Sequence, residues 1–178
     1  MKRVILVHGW DGSPKRDFLP WLKEKLEEHH FRVFAPQMPE PTVAAWVAHL
    51  AKVVGKPDKN TFFVGHSLGC IAIARYLASL PSKVGGCVLV AGFSSTKEPE
   101  LKEFTTLPLD WERVKAVSRF VAISSDNDSE VTRKQSDDFA KKLNAHAILE
   151  PGFGHFCDDD HIKEVPSVLN AVLELAGD

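Results

Sequence analysis

The sequence has few cysteines, no long apolar run and no excess of charge of one sign. Its cysteines are Cys70, Cys87 and Cys157. Their number is odd and no two sit at C-x-x-C spacing, so neither a disulfide framework nor a zinc site is indicated. No stretch is long enough to span a bilayer. In MKRVILVHGW at the start, a basic pair precedes four consecutive apolar residues, which is too short for the core of a signal peptide. The expectation is a soluble, cytoplasmic protein with no membrane partner. The 22 Lys and Arg residues stand against 24 Asp and Glu, a formal net charge of −2. No basic run is long enough for a nucleic-acid footprint. G-x-G-x-x-G and G-x-x-x-x-G-K-[ST] are both missing, as is any His/Asp/Glu set with zinc-ligand spacing. The Asp158–Asp160 run lacks the glycine and spaced acids of a calcium loop. No cofactor and no metal are expected.

What is present is ordinary globular composition, 44% hydrophobic and 26% charged over 178 residues, which predicts one domain over 1–178. Short apolar, β-branched runs alternate with amphipathic segments. Strands are predicted at Arg3–Val7, Phe31–Ala35, Thr61–Val64, Cys87–Ala91, Arg119–Ser124 and Ala145–Glu150. Helices are predicted at Phe18–His29, Val43–Val54, Ser67–Ser79, Glu130–Leu143 and Asp160–Leu175. This alternation predicts an α/β fold, a parallel sheet covered on both faces in a three-layer αβα sandwich. The exception is Gly92–Lys115, which becomes helix-like around Trp111–Val117. A connection of that length in a compact domain carries function, as a rim or short lid.

The strongest local signal is TFFVGHSLG at 61–69. An apolar strand runs into Gly65-His66-Ser67-Leu68-Gly69, and IAIARYLASL then continues at helical spacing. Strand, sharp turn with an apical serine, then helix is the setting of a nucleophile elbow. Such a turn strains the serine backbone and holds its Oγ above the sheet. Gly65 and Gly69 are expected because side chains there would collide with the neighbouring helix and strand. The bland alternative is a serine that N-caps a helix after a glycine turn.

A serine hydroxyl needs a base to accept its proton and a third group to orient that base. On an α/β-hydrolase sheet these follow in the order Ser, acid, His. After the Arg119–Ser124 strand come Asp126 and Asp128; Asp128, followed by x-x-Val and a helix, is the favoured acid, with Asp126 as the alternative. After the last strand comes Pro151-Gly152-Phe153-Gly154-His155-Phe156, in which flanking glycines let a loop carry His155 over the sheet edge. His29, His30 and His49 are placed on helices and in solvent, and His161 at a helix start behind the Asp158–Asp160 run, which suits a helix dipole. Cys157 is read as a bystander. Oxyanion donors are expected from the backbone N–H of Leu68 and, in the loop after the first strand, of Trp10.

With these residues in view, the chain resembles the small serine hydrolases of the retinoblastoma-binding protein 9 family over nearly its whole length. The resemblance rests on HGW at 8–10, MPEPT at 38–42, GHSLG at 65–69, the Asp128 loop and GHF at 154–156. It implies a minimal α/β-hydrolase with six parallel strands ordered 2-1-3-4-5-6 and no large cap. Residue by residue it carries nucleophile to Ser67, acid to Asp128 and base to His155. The family often has a proline shortly after the acid; this chain has Ser129-Glu130-Val131-Thr132. The implied activity is hydrolysis of small carboxylic esters, with amides and thioesters as further candidates, on a small-molecule acyl substrate. The alternative is a catalytically idle protein-interaction module on the same fold.

Overall fold

The computed structural model describes residues 1–177. Six strands form one parallel sheet: β1 (Arg3–Val7), β2 (Arg32–Phe34), β3 (Thr61–His66), β4 (Gly86–Val90), β5 (Phe120–Ser125) and β6 (His146–Glu150). Their order is β2-β1-β3-β4-β5-β6, as predicted, and every neighbouring pair is parallel. The helices are α1 (Leu19–Glu28), α2 (Val43–Val54), α3 (Leu68–Ala78), the short α4 (Lys102–Thr106), α5 (Trp111–Val117), α6 (Arg133–Leu143) and α7 (Pro166–Ala176).

Alternation along the central strands builds the sandwich. In β1, Val4 and Leu6 enter the core that contains Leu22 and Leu26 of α1 and Val168 and Val172 of α7. Ile5 and Val7, pointing the other way, enter the core containing Leu50 of α2, Ile73 of α3, Val114 of α5 and Phe139 of α6. Strand side chains alternate between faces, so a continuous apolar run feeds both layers at once. Residues 92–117 hold no separate cap domain. A 3₁₀ turn at Pro99–Leu101, α4 and α5 pack at the rim, with Phe104 and Val114 fully buried.

Two helices begin later than predicted by more than one residue. The one expected from Glu130 begins at Arg133, because Thr132 caps it: Thr132 Oγ1 accepts from Gln135 N, and Gln135 Oε1 accepts from Thr132 N. This capping box, T-x-x-Q, is legible in the sequence. The closing helix begins at Pro166 rather than Asp160, since proline is suited to the first turn of a helix and not to its interior. Asp158–Asp160 forms a 3₁₀ turn instead. The acidic run therefore serves no helix dipole; Asp158 and Asp160 accept backbone hydrogen bonds from Asp17 and His155. His29 and His30 are exposed beyond the end of α1, while His49 Nε2 in α2 is buried without a partner rather than solvated.

Candidate active site

β3 ends at His66, and α3 starts at Leu68, leaving one residue for the turn. That residue, Ser67, has φ 53° and ψ −119°, a conformation that costs a non-glycine residue about 1–3 kcal/mol. The turn is possible because Gly69 lies against β1: a Cβ there would stand 2.3 Å from Val7 O and 2.8 Å from His8 O. Both obstacles are backbone, so nothing cheap can move. Gly69→Ala is expected to destabilise the fold by about 3 kcal/mol, the upper end of overpacking costs, read as a lower urea midpoint at unchanged m-value.

The loop after β1 passes beside Ser67: a Cβ on Gly9 would lie 3.1 Å from Ser67 Cβ. His8 fixes this loop. Its Nε2 accepts from Met38 N at 2.9 Å, so the ring proton sits on Nδ1, which donates to Gly9 O at 2.7 Å. Gly12 N donates to the same carbonyl at 3.2 Å. In a planar trans peptide the N–H of Trp10 points opposite to the Gly9 carbonyl. The MPEPT segment is thus anchored to the loop that carries Trp10, and Trp46 Nε1 secures it further by donating to Pro39 O at 2.9 Å.

Burial pushes the His8 pKa down, and its accepted hydrogen bond likewise requires the neutral ring. The unfolded chain then binds the extra proton first as pH falls. Stability contributed by neutral His8 is present above about pH 6.5, the ordinary histidine value, and is lost as pH drops toward the depressed folded value. A plot of unfolding free energy against pH is expected to flatten in His8→Gln, by at most about 1.4 kcal/mol per pH unit for one proton.

The loops after β5 and β6 close over the sheet edge as a pair. Asp126 Oδ1 accepts from Gly152 N at 2.8 Å, Ser125 Oγ from Phe153 N at 3.0 Å, and Asn127 Oδ1 from Gly154 N at 2.8 Å. Asp128 completes the series through a side chain. Its Oδ2 lies 2.9 Å, and its Oδ1 3.1 Å, from His155 Nδ1. The Asp128 side chain is 2% exposed and that of His155 12%. Asp128 Oδ1 also accepts from Glu130 N at 2.8 Å and Val131 N at 2.9 Å. Of the two candidate acids, then, Asp128 meets the imidazole and Asp126 holds the opposite loop. Gly154 has φ 54°, and a Cβ there would fall within 2.2 Å of Asp160, whose Oδ2 accepts from His155 N at 2.6 Å.

Trp10, Ser67 and His155 line one cavity of about 400 Å³. Leu68 is fully buried at the first position of α3, where a backbone N–H has no partner within the helix. Cys157 borders the cavity, but its thiol is pushed up to about 11, chiefly by burial and by its hydrogen bond to Asp160. It remains protonated and is not an activated nucleophile. Among the described residues no group of His, Cys, Asp or Glu is arranged to hold a metal ion, and no helix is long and apolar enough to cross a membrane.

A family model for serine hydrolases matches residues 4–174, spanning the elbow and both later loops. The chain belongs to the serine hydrolase family. Within it, YdeN of Bacillus subtilis (strain 168) is 30% identical over 179 residues, covering 96% of this chain and 94% of its own. Serine hydrolase RBBP9 of Rattus norvegicus is 27% identical, with 95% and 91% covered. The crystal structure of the B. subtilis ydeN gene product matches with TM-score 0.95 at 28% identity over the whole of both chains. Est1E from Butyrivibrio proteoclasticus shares the α/β fold at TM-score 0.76 and 15% identity, covering 99% of this chain and 89% of its own. This serine hydrolase also has site-forming residues outside the predicted set: His8, His66 and Asp17. His8 stands in the HGW motif and His66 in the GHSLG motif, so both were visible as letters; Asp17 carries no sequence signal.

Proposed function

We propose that this serine hydrolase cleaves small carboxylic esters through an acyl-enzyme on Ser67. The observation that carries the reading is the Asp128–His155 pair at 2.9 Å, whose imidazole borders the same cavity as a serine on a strained elbow. Asp128 accepts from His155 Nδ1–H, which leaves Nε2 as the base. Nε2 takes the Ser67 proton as Oγ attacks the acyl carbon. The amides of Leu68 and Trp10 receive the developing oxyanion, and His155 returns the proton to the leaving alcohol. Water repeats the sequence and frees the acid. Among the described residues Ser67 Oγ has no hydrogen bond. Rotation of the hydroxyl toward His155 on substrate entry accords with the way apo catalytic contacts tighten in the Michaelis complex.

Asp11, Glu98, Glu130 and Asp159 line the cavity, whereas its one guanidinium, Arg16, is engaged 3.6 Å from Asp158. Acyl groups bearing a carboxylate are repelled there, and neutral or cationic ones are not. A panel of p-nitrophenyl, thio and amide substrates tests the reading. Turnover of neutral short-chain esters well above that of succinyl-type esters is expected, with a transesterified product when an alcohol is supplied. Folded protein that turns over none of them contradicts it.

A further inference from the structure

We propose that Asp17 and His66 share one proton, and that this buried pair is a positioning device for His155, the base in the reading above. His66 Nε2 lies 2.8 Å from the carbonyl oxygen of His155. A carbonyl only accepts, so Nε2 carries a hydrogen and donates it. The other nitrogen, Nδ1, is buried and has no hydrogen bond. It faces Asp17 Oδ2 at 3.7 Å, with the His66 side chain 4% and the Asp17 side chain 9% exposed. A buried lone pair without a donor, opposite a carboxylate oxygen that itself receives no hydrogen bond, is a costly arrangement. One proton between them removes the conflict.

The surroundings favour the neutral form of each partner. Burial drives His66 down to about 3 and pushes Asp17 up. In the proposed pair the proton sits on the carboxyl and points at the unpartnered Nδ1, instead of making an imidazolium beside a second imidazole. That second ring is His155, with centroids 5.0 Å apart. The charged and titratable groups around His66 are Asp17 from the loop before α1, His155 and Asp128 from the two later loops, and His8 from the loop after β1. Asp17 in turn faces Asp158, Arg16 and His155. It is held by reciprocal bonds: Asp17 N donates to Asp158 Oδ1 at 2.9 Å, and Asp158 N donates to Asp17 Oδ1 at 3.0 Å. Phe18 closes the remaining side, edge-on to His66 at 5.5 Å. The chain Asp158–Asp17–His66 thus ends on the backbone of the base itself. It sets where the His155 loop sits independently of Asp128, which holds the ring.

The test uses Asp17→Leu, Asp17→Asn and His66→Phe. Asp17 has φ 59°, where Asn is at ease and Leu is strained, so His66→Phe serves as the arm free of that strain. In the wild type the ¹⁵N signal of His66 Nδ1 is expected between the free-acceptor and protonated positions, and at the free-acceptor position in Asp17→Leu. A free-acceptor signal in the wild type overturns the shared proton. Asp17→Leu and His66→Phe are expected to lower kcat about tenfold or more with KM within twofold, as misplacement of a catalytic group does. Asp17→Asn, whose amide supplies a fixed N–H to Nδ1, restores most of the loss. Because a protonated pair and the Asn variant carry the same charge, the midpoint of the acid limb of kcat/KM does not move in Asp17→Asn. A downward move of about one unit would mean a full negative charge had been removed, and overturns the proposal. So does full activity in His66→Phe. Wild-type protein inactive on every ester would overturn the reading of His155 as base, and the positioning role with it; the ring-nitrogen signal needs no turnover and decides the shared proton separately.

Discussion

Ser67→Ala is expected to lower kcat on an activated ester by about 10⁴–10⁶-fold, the range seen when the nucleophile of a Ser-His-Asp site is removed. The fold should be almost untouched. Ala meets the same backbone strain as Ser at φ 53°, and no hydrogen bond of the Ser67 hydroxyl is lost, so stability stays within about 0.5 kcal/mol. The residual rate would come from what remains: the Leu68 and Trp10 amides and the cavity wall. Steady-state kinetics beside a urea titration separates the two outcomes. A loss of activity matched by a loss of folding would point away from a chemical role for the hydroxyl.

Asp128→Asn is expected to cost about 10⁴-fold in kcat with little change in KM. The surroundings of Asp128 dictate why. Its Oδ1 accepts from the amides of Glu130 and Val131. An Asn there must keep its carbonyl oxygen on those amides and present its NH₂ to His155. A donor facing Nδ1 selects the tautomer with the hydrogen on Nε2, and that ring cannot take a proton from Ser67. In Asp126→Asn the carbonyl oxygen can still accept from Gly152 N–H, as Asp126 Oδ1 does now. Its kcat is expected to stay within about tenfold of wild type, a loop effect rather than a tautomer effect. A larger loss in Asp126→Asn than in Asp128→Asn would reverse the assignment of the acid.

Strand identity was legible because a doubly covered parallel sheet demands uninterrupted apolar runs, and VILV, FFV and CVLV are such runs, whereas strand order came from the family resemblance. The elbow was legible because its letters fall within five consecutive residues, although only Gly65 and Ser67 answer a local constraint; Gly69 answers the approach of Val7 and His8. Trp111–Val117 was found as a helix inside an irregular segment, and Asp110 caps it by accepting from Arg113 N. The start of the last helix was misread although Pro166 announces it, because the acidic run before it imitates a helix entry. The Asp128–His155 pairing was anticipated, but the bonds by which 125–127 clasp the backbone of 152–154 escaped, since their partners lie in different loops and neither sequence names the other. His66 and Asp17 were beyond reach for a deeper reason. A histidine has two nitrogens with independent partners, and the Asp17–Asp158 bonds join residues 141 positions apart. Only the folded backbone brings these groups together.

The central claim is that the Ser67 oxygen is the atom that becomes acylated. Treating the protein with a fluorophosphonate, then measuring intact mass and mapping peptides, tests it directly. One adduct on Ser67 in the wild type, slower labelling in Asp128→Asn and none in Ser67→Ala are expected. Equal labelling of wild type and Ser67→Ala, or an adduct mapped to Cys157 or another side chain, would contradict the account.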